Sequence, residues 1–224
     1  KESIHSEGVI NVFEDKPEFS IFNEEYLDSL RKMKQKNLAA ELLKKLLADE
    51  IKIYKRTNLV KSEKFSERMD RLMKSYRNKQ ISNAEVIEEL LKLADEIKKA
   101  NEEGKELGLN VEEMAFYDAI TKPENIKDFY SNEQLIKMTH ELTDTLRKSR
   151  TIDWQLKRQA RAKMRTMIKR MLKKYGYPPE EQKNALDLVL KQAETMNEEI
   201  FDYNSENIER LRAAEDRSEY GNEI

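Results

Sequence analysis

Apolar residues recur at steps of three and four through most of this chain, the pattern of helices with one packed face, and recognisable start and stop residues separate the runs. Helical patterning opens at Asn23, a suitable N-cap, and runs through Leu38, Leu42, Leu43, Leu46, Leu47 and Ile51 on one stripe to Thr57 and Asn58, as one long helix or two broken ones. A short amphipathic helix is expected from about Ser62, with Phe65, Met69, Leu72, Met73 and Tyr76 on its apolar side. Ser82 and Glu85 form a capping box ahead of Val86, Ile87, Leu90, Leu91, Ala94 and Ile97, and this helix is expected to stop before Gly104. Asn110 with Glu113 caps a shorter helix carrying Met114, Phe116, Tyr117 and Ile120, which Pro123 ends; Ser131 with Gln134 starts the next, through Leu135, Met138, Leu142 and Leu146. A helix beginning after Asp153 runs to Gly176, where glycine suits a left-handed C-terminal residue. Pro178 and Pro179 then open a last helix with Ala185, Leu188, Val189 and Ala193.

The two ends read differently. Residues 1–22 mix β-branched and aromatic residues (Val9, Ile10, Val12, Phe13, Phe19, Ile21, Phe22) with Gly8 and Pro17, without a helical period, and are expected to form an extended arm that packs onto something. Residues 197–224 carry only isolated apolar positions among Glu, Asn and Arg and read as a peripheral helix with a frayed end. Between them, residues 23–196 form the helical domain, with room for two subdomains meeting near 104–131. The expected fold is all-α, a bundle of about seven or eight helices with an extended N-terminal arm.

Composition strengthens this reading. Charged residues make up 38% of the chain and glycine and proline together are scarce, with 5 Gly and 4 Pro, which suits long helices with solvated faces better than sheets with tight turns. No run approaches the roughly 18–20 apolar residues that cross a bilayer, so no membrane is expected as a partner. The absence of cysteine removes disulfides, thiolate metal sites and thiol nucleophiles, and a reducing, cytoplasmic setting is the default. A chain opening on Lys1 without a methionine is expected to be a piece of something longer.

Charge is unevenly distributed. From Trp154 to Pro179 there is no acidic residue, yet this stretch carries Lys157, Arg158, Arg161, Lys163, Arg165, Lys169, Arg170, Lys173 and Lys174, in a chain of net charge −2. On a helix, Leu156, Ala160, Met164, Met167, Ile168, Met171 and Tyr175 fall on one side, and Arg158, Arg161, Arg165, Lys169 and Lys173 follow steps of three and four along the opposite flank. A solvated face normally mixes its charges. One that excludes acids steers negatively charged partners, so these five residues are the candidate binding surface. Trp154, at the start of that helix, is read as a packing residue.

Catalytic constellations are missing from the pattern. The two histidines, His5 and His140, are far apart and have no metal-ligand neighbour at a useful spacing, so they are read as surface or capping residues. Gly104-Lys105-Glu106-Leu107-Gly108 lacks the preceding strand and the Ser or Thr after its lysine that a phosphate-binding loop requires, and is read as a helix terminus. Pairs such as Glu88-Glu89, Glu102-Glu103 and Glu112-Glu113 are read as solvated faces, and no serine sits on a nucleophile elbow. No catalytic, cofactor-binding or metal-binding residue is therefore expected in this chain.

Several strings go beyond helix grammar. They are Phe19-Ser20-Ile21-Phe22 with Glu25-Tyr26-Leu27; Lys36-Asn37-Leu38-Ala39-Ala40-Glu41-Leu42-Leu43 with Lys45-Leu46-Leu47 and Asp49-Glu50-Ile51; Val86-Ile87-Glu88-Glu89-Leu90; Glu106-Leu107-Gly108-Leu109 before Glu113-Met114-Ala115-Phe116-Tyr117-Asp118-Ala119-Ile120; Ile152-Asp153-Trp154; and Tyr175-Gly176-Tyr177-Pro178-Pro179. In this order they resemble the C-terminal helical region of the restriction (motor, R) subunit of type I restriction endonucleases. The resemblance implies a helical region that packs on the motor domains of the same subunit and helps dock it to the methyltransferase and specificity subunits. It also implies a parent that is an ATP-dependent, Mg²⁺-using deoxyribonuclease. Neither a nuclease motif nor a phosphate-binding loop is present here, so those activities attach to no residue of this chain. The leading expectation is docking with Arg158, Arg161, Arg165, Lys169 and Lys173 as the contact surface. The alternative is a DNA-contacting module in which the same residues touch phosphates without reading sequence.

Overall fold

A computed structural model describes residues 21–123, 125–149, 154 and 156–197. The arm is therefore described only at Ile21 and Phe22, and residues 1–20, His5 and the tail beyond Asn197 lie outside the described residues. The elements are α1 (Glu24–Lys32), α2 (Lys36–Thr57), α3 (Leu59–Arg77), α4 (Asn83–Glu106), α5 (Val111–Thr121), the single turn α6 (Ile126–Phe129), α7 (Asn132–Ser149), α8 (Arg158–Lys174) and a last helix, α9, described over 182–197. Among the described residues there is no strand.

The starts follow the side chains that satisfy them. The Asn23 side chain accepts from the Tyr26 amide at 3.0 Å, which begins α1, with Glu24 and Glu25 in its first turn and Arg31 and Lys32 in its last, both complementing the helix dipole. Reciprocal capping boxes close on Ser82 and Glu85, on Asn110 and Glu113, and on Ser131 and Gln134. Three ends share one geometry, in which a left-handed residue lets the next amide reach back five positions. These are Gly108 (φ +68°) with Leu109 on Gly104, Gly176 (φ +70°) with Tyr177 on Leu172, and Lys79 (φ 56°) with Gln80 on Ser75.

Some boundaries differ from expectation. The first helical segment takes the broken form of the two expected, as α1 and α2. Leu38 on the expected apolar stripe of α2 is 51% exposed, while Ala39, Ala40, Leu43, Leu47 and Ile51 form the buried face. The third helix starts at Leu59 and runs for 19 residues, because Asn58 ends α2 and its own side chain caps α3 through the Lys61 amide. The fourth passes through Gly104 and ends at Glu106. Gly104 is a packing position inside the helix, where an added Cβ would lie 3.3 Å from the Leu109 carbonyl, and the left-handed turn falls at Gly108 instead.

The described residues build two hydrophobic cores. In the first, α2, α3 and α4 pack mutually around Leu43, Leu47, Phe65, Leu90 and Ile97, with α1 laid across α2 and α4 and Ile21 tucked in beside it. The second gathers α5, α7, α8 and α9 around Phe116, Ile120, Leu142, Trp154, Ile168 and Val189. Each fully buried Leu, Ile or Phe contributes about 1.5–3 kcal/mol of transfer free energy. The α5 helix is apolar on nearly every side and lies against α7, α3 and α2, which puts it between the cores.

Polar groups join the cores at the α2–α3 corner. The Gln192 side chain of α9, nearly fully buried, accepts from the Leu59 amide at 2.8 Å and donates to the Thr57 carbonyl at 3.0 Å, so one amide satisfies an orphan group from each helix end. Asn58 donates to Asp118 of α5 at 2.7 Å. Lys61, buried, donates to the Ala100 carbonyl at 2.7 Å and pairs with Glu103 at 3.3 Å and Asp118 at 3.7 Å. Burial pushes the Asp118 carboxyl above the usual aspartate range, against the opposing pull of Lys61 and of the Asn58 hydrogen bond.

Two expected outcomes follow. Lys61→Met should lower the unfolding free energy in urea by about 3 kcal/mol, since it leaves Asp118 buried beside Glu103 without its cation; Lys61→Met with Asp118→Asn should recover part of that loss. Lys79→Gly should raise the urea midpoint, by a gain of about 0.5–1 kcal/mol, because glycine relieves a left-handed residue at a modest entropy cost in the unfolded chain.

Candidate functional site

Two surfaces compete as candidate sites. One concavity, about 820 Å³, lies between α3, α4 and α5 and is lined by Lys61, Lys64, Lys99, Lys122 and Lys127 against Glu96, Glu102, Glu103, Glu106 and Asp118. Half of its charges are spent on one another or on neighbours. Lys61 holds Glu103 and Asp118, Arg68 holds Glu96, and Lys122 reaches Glu63. Among the described residues, no group of three His, Asp or Glu side chains could hold a metal ion. His140 lies on the outside of α7 with its Nδ1 2.9 Å from Glu113, the capping-box acid of α5, and so supports a helix start. Glu112 pairs with Arg147 at 2.7 Å. Together with Glu103, these acids are interior or inter-helix partners where solvated faces are expected.

The basic surface is built on α8. Its helix begins at Arg158, four residues later than expected, with Trp154 fully buried in the second core ahead of it. Leu156, expected on the packed side, is 82% exposed. The residues of α8 that bury are Met164, Ile168, Met171 and Leu172. Leu172 is the informative addition, because at about 100° per residue it projects between Arg161 and Arg165. Where Leu172 packs, its flanking arginines are drawn toward α9 while staying about half exposed.

The basic row accordingly divides. Arg161 Nε lies 2.7 Å from Glu194 of α9, a close ion pair without the alignment of a hydrogen bond, and Arg165 pairs with Asp187 on the same helix. These two arginines fasten α8 to α9. Arg158, Lys169 and Lys173 turn further outward, and among the described residues none of the three has a carboxylate partner. Lys163 and Arg170 on the far flank are likewise exposed, whereas Lys174 returns to Glu141 of α7. A concavity of about 540 Å³ opens beside the row, lined by Arg165, Thr166 and Lys169 of α8 and by Pro179, Gln182, Lys183 and Leu186 at the start of α9, with no carboxylate. Sequence reasoning left out Lys183, whose place opposite Lys169 depends on the turn at Gly176 and the two prolines that fold α9 back. Tyr177 anchors that turn by donating from its hydroxyl to the Ile120 carbonyl at 2.7 Å.

The division predicts unequal costs. Arg165→Glu sets a carboxylate beside Asp187 and should lower the unfolding free energy in urea by about 0.5–1 kcal/mol. Lys169→Glu, one turn further along, should stay within about 0.5 kcal/mol of the parent chain.

Comparison with known proteins adds the following. A family model described as type I restriction enzyme HindI endonuclease subunit-like, C-terminal, matches residues 1–199. The type I restriction enzyme HindI endonuclease subunit of Haemophilus influenzae is 38% identical over 203 residues, which cover 89% of this chain and 19% of that protein. The putative type I restriction enzyme MjaIXP endonuclease subunit of Methanocaldococcus jannaschii is 39% identical over 180 residues, 78% of this chain and 17% of that protein. The chain thus spans less than a fifth of the length of these relatives. No solved structure matches it.

Proposed function

The chain belongs to the type I restriction enzyme HindI endonuclease subunit-like C-terminal family, and from that premise we propose that it docks a larger motor and nuclease subunit onto its methyltransferase and specificity partners during ATP-dependent restriction of foreign DNA. The family match carries this reading, and the architecture is suited to it. Two cores held together by buried hydrogen bonds and an ion pair make a stiff connector, and the outward cations of α8 add an electrostatic contact to the assembled complex. ATP hydrolysis and DNA cleavage, with their ATP and Mg²⁺, are assigned to other parts of the larger subunit, and no residue here is proposed for them. Among the described residues no helix is long and apolar enough to cross a membrane.

The testing experiment is size-exclusion chromatography of the 224-residue chain with the purified methyltransferase and specificity complex, without DNA, at low and moderate salt. Co-elution at both salts is expected. Separate elution at both would overturn docking and leave a region that only braces the motor.

A further inference from the structure

We infer that the outward face of α8, with Lys183 across the groove, is a contact for the phosphate backbone of duplex DNA, formed by Arg158, Lys169, Lys173 and Lys183. The inference rests on the docking reading, which brings this face to a complex that carries DNA, and it names what the face touches there.

The first argument is what the ion pairs leave over. Asp187 and Glu194 of α9 sit on the inner flank of α8 and are taken by Arg165 and Arg161. Among the described residues, the outer flank then has cations without acids. Arg158, Lys169 and Lys173 project within an arc of about 60° on one side of the helix and run for about 22 Å at about 1.5 Å per residue. Lys183 enlarges the same field from the far wall of a groove that has no carboxylate in its lining.

The second argument separates phosphate from protein. A docked protein face is normally centred on aromatic or aliphatic anchors that exclude water from its core. The large exposed apolar residues among those described are Phe22, Leu38, Ile53, Val111, Phe129 and Leu156, and none lies within α8 or α9. Leu156 precedes the helix by two residues, and along α8 itself this face offers cations and no exposed apolar anchor. Duplex DNA asks for that combination, since it presents about one negative charge per 1.7 Å of axis and is held without base contacts by lysine and arginine.

The third argument is mechanical. The groove's two walls share one core, Ile168 and Leu172 with Ala185 and Val189, and the Gly176 turn joins them, so Lys169 and Lys183 are presented on packed helices. A preset arrangement of cations loses less on binding than lysines on a loose segment would. Three to four contacts of this kind supply affinity without sequence preference, in keeping with a position away from base edges.

The test is fluorescence anisotropy of a labelled mixed-sequence duplex with the 224-residue chain across a salt series. Four phosphate contacts should give a slope of log K against log salt of about −3 to −4, the same for unrelated sequences. Arg158→Gln with Lys169→Gln and Lys173→Gln should cut that slope to about −1, the share of Lys183, and weaken low-salt binding by about tenfold or more, with the helical circular dichroism unchanged. Lys173→Gln alone should remove about one unit of slope. Arg161→Gln with Arg165→Gln, which removes no proposed contact, should leave the slope within about half a unit of the parent's. Failure of the folded parent chain to bind duplex, or a triple variant that keeps the parent slope, overturns the inference. If duplex binding fails while DNA-free co-elution with the partner subunits is present in the parent and lost in the triple variant, the face meets an acidic protein surface: the inference falls and docking stands. If co-elution fails as well, both fall.

Discussion

Where two helices meet at a buried corner, the last carbonyls of one and the first amides of the other have no partners in their own helices, and leaving them unpaired costs free energy comparable to the hydrogen bonds forgone. The α2–α3 corner solves this with side chains from far along the chain. Gln192 of α9 serves the Thr57 carbonyl and the Leu59 amide together, and Asn58 caps α3 while donating to Asp118 of α5. Because those partners belong to the second core, closing the corner also joins the two halves. Lys61 completes the junction by bringing Glu103 of α4 and Asp118 of α5 onto one ammonium. Burying such groups is worthwhile only if every member finds its partner, and that demand makes the junction specific in a way apolar packing is not.

The same second core decides what the basic helix can do. Its inner flank is drawn into packing by Leu172, and the arginines on either side follow it to acids on α9. Ion pairs this exposed add little to stability. Their larger effect is to remove the nearby acids from competition, so that among the described residues the outward cations have no carboxylate partner. A chain of nearly balanced charge thereby shows one strongly positive strip.

Residues from the strings that carried the family resemblance stand at these structural points. Asp118, from the Phe-Tyr-Asp string, lies in the junction, and Tyr177, from the Tyr-Gly-Tyr-Pro-Pro string, donates to the end of the same α5 helix. Trp154 fills the core ahead of α8. Local punctuation and long-range packing coincide here, which is why positions that read as turn residues are also core residues.

The sequence by itself determined the all-α fold and most helix starts, because N-caps, capping boxes and helical periodicity act over three or four residues and are written locally. It also marked the acid-free stretch that became α8. It misplaced the end of α4 because glycine serves both as a left-handed cap and as a gap for a close neighbour, and only the approach of Leu109 and Met114 tells which applies at Gly104. It treated Arg158, Arg161, Arg165, Lys169 and Lys173 as one surface, since helical projection shows which residues share a side and not which other helix covers it. Only tertiary structure divided that row, opposed Lys183 to it and brought Asn58, Lys61, Asp118 and Gln192 together. Those relations depend on contacts between residues up to 135 positions apart, and no short-range pattern carries them.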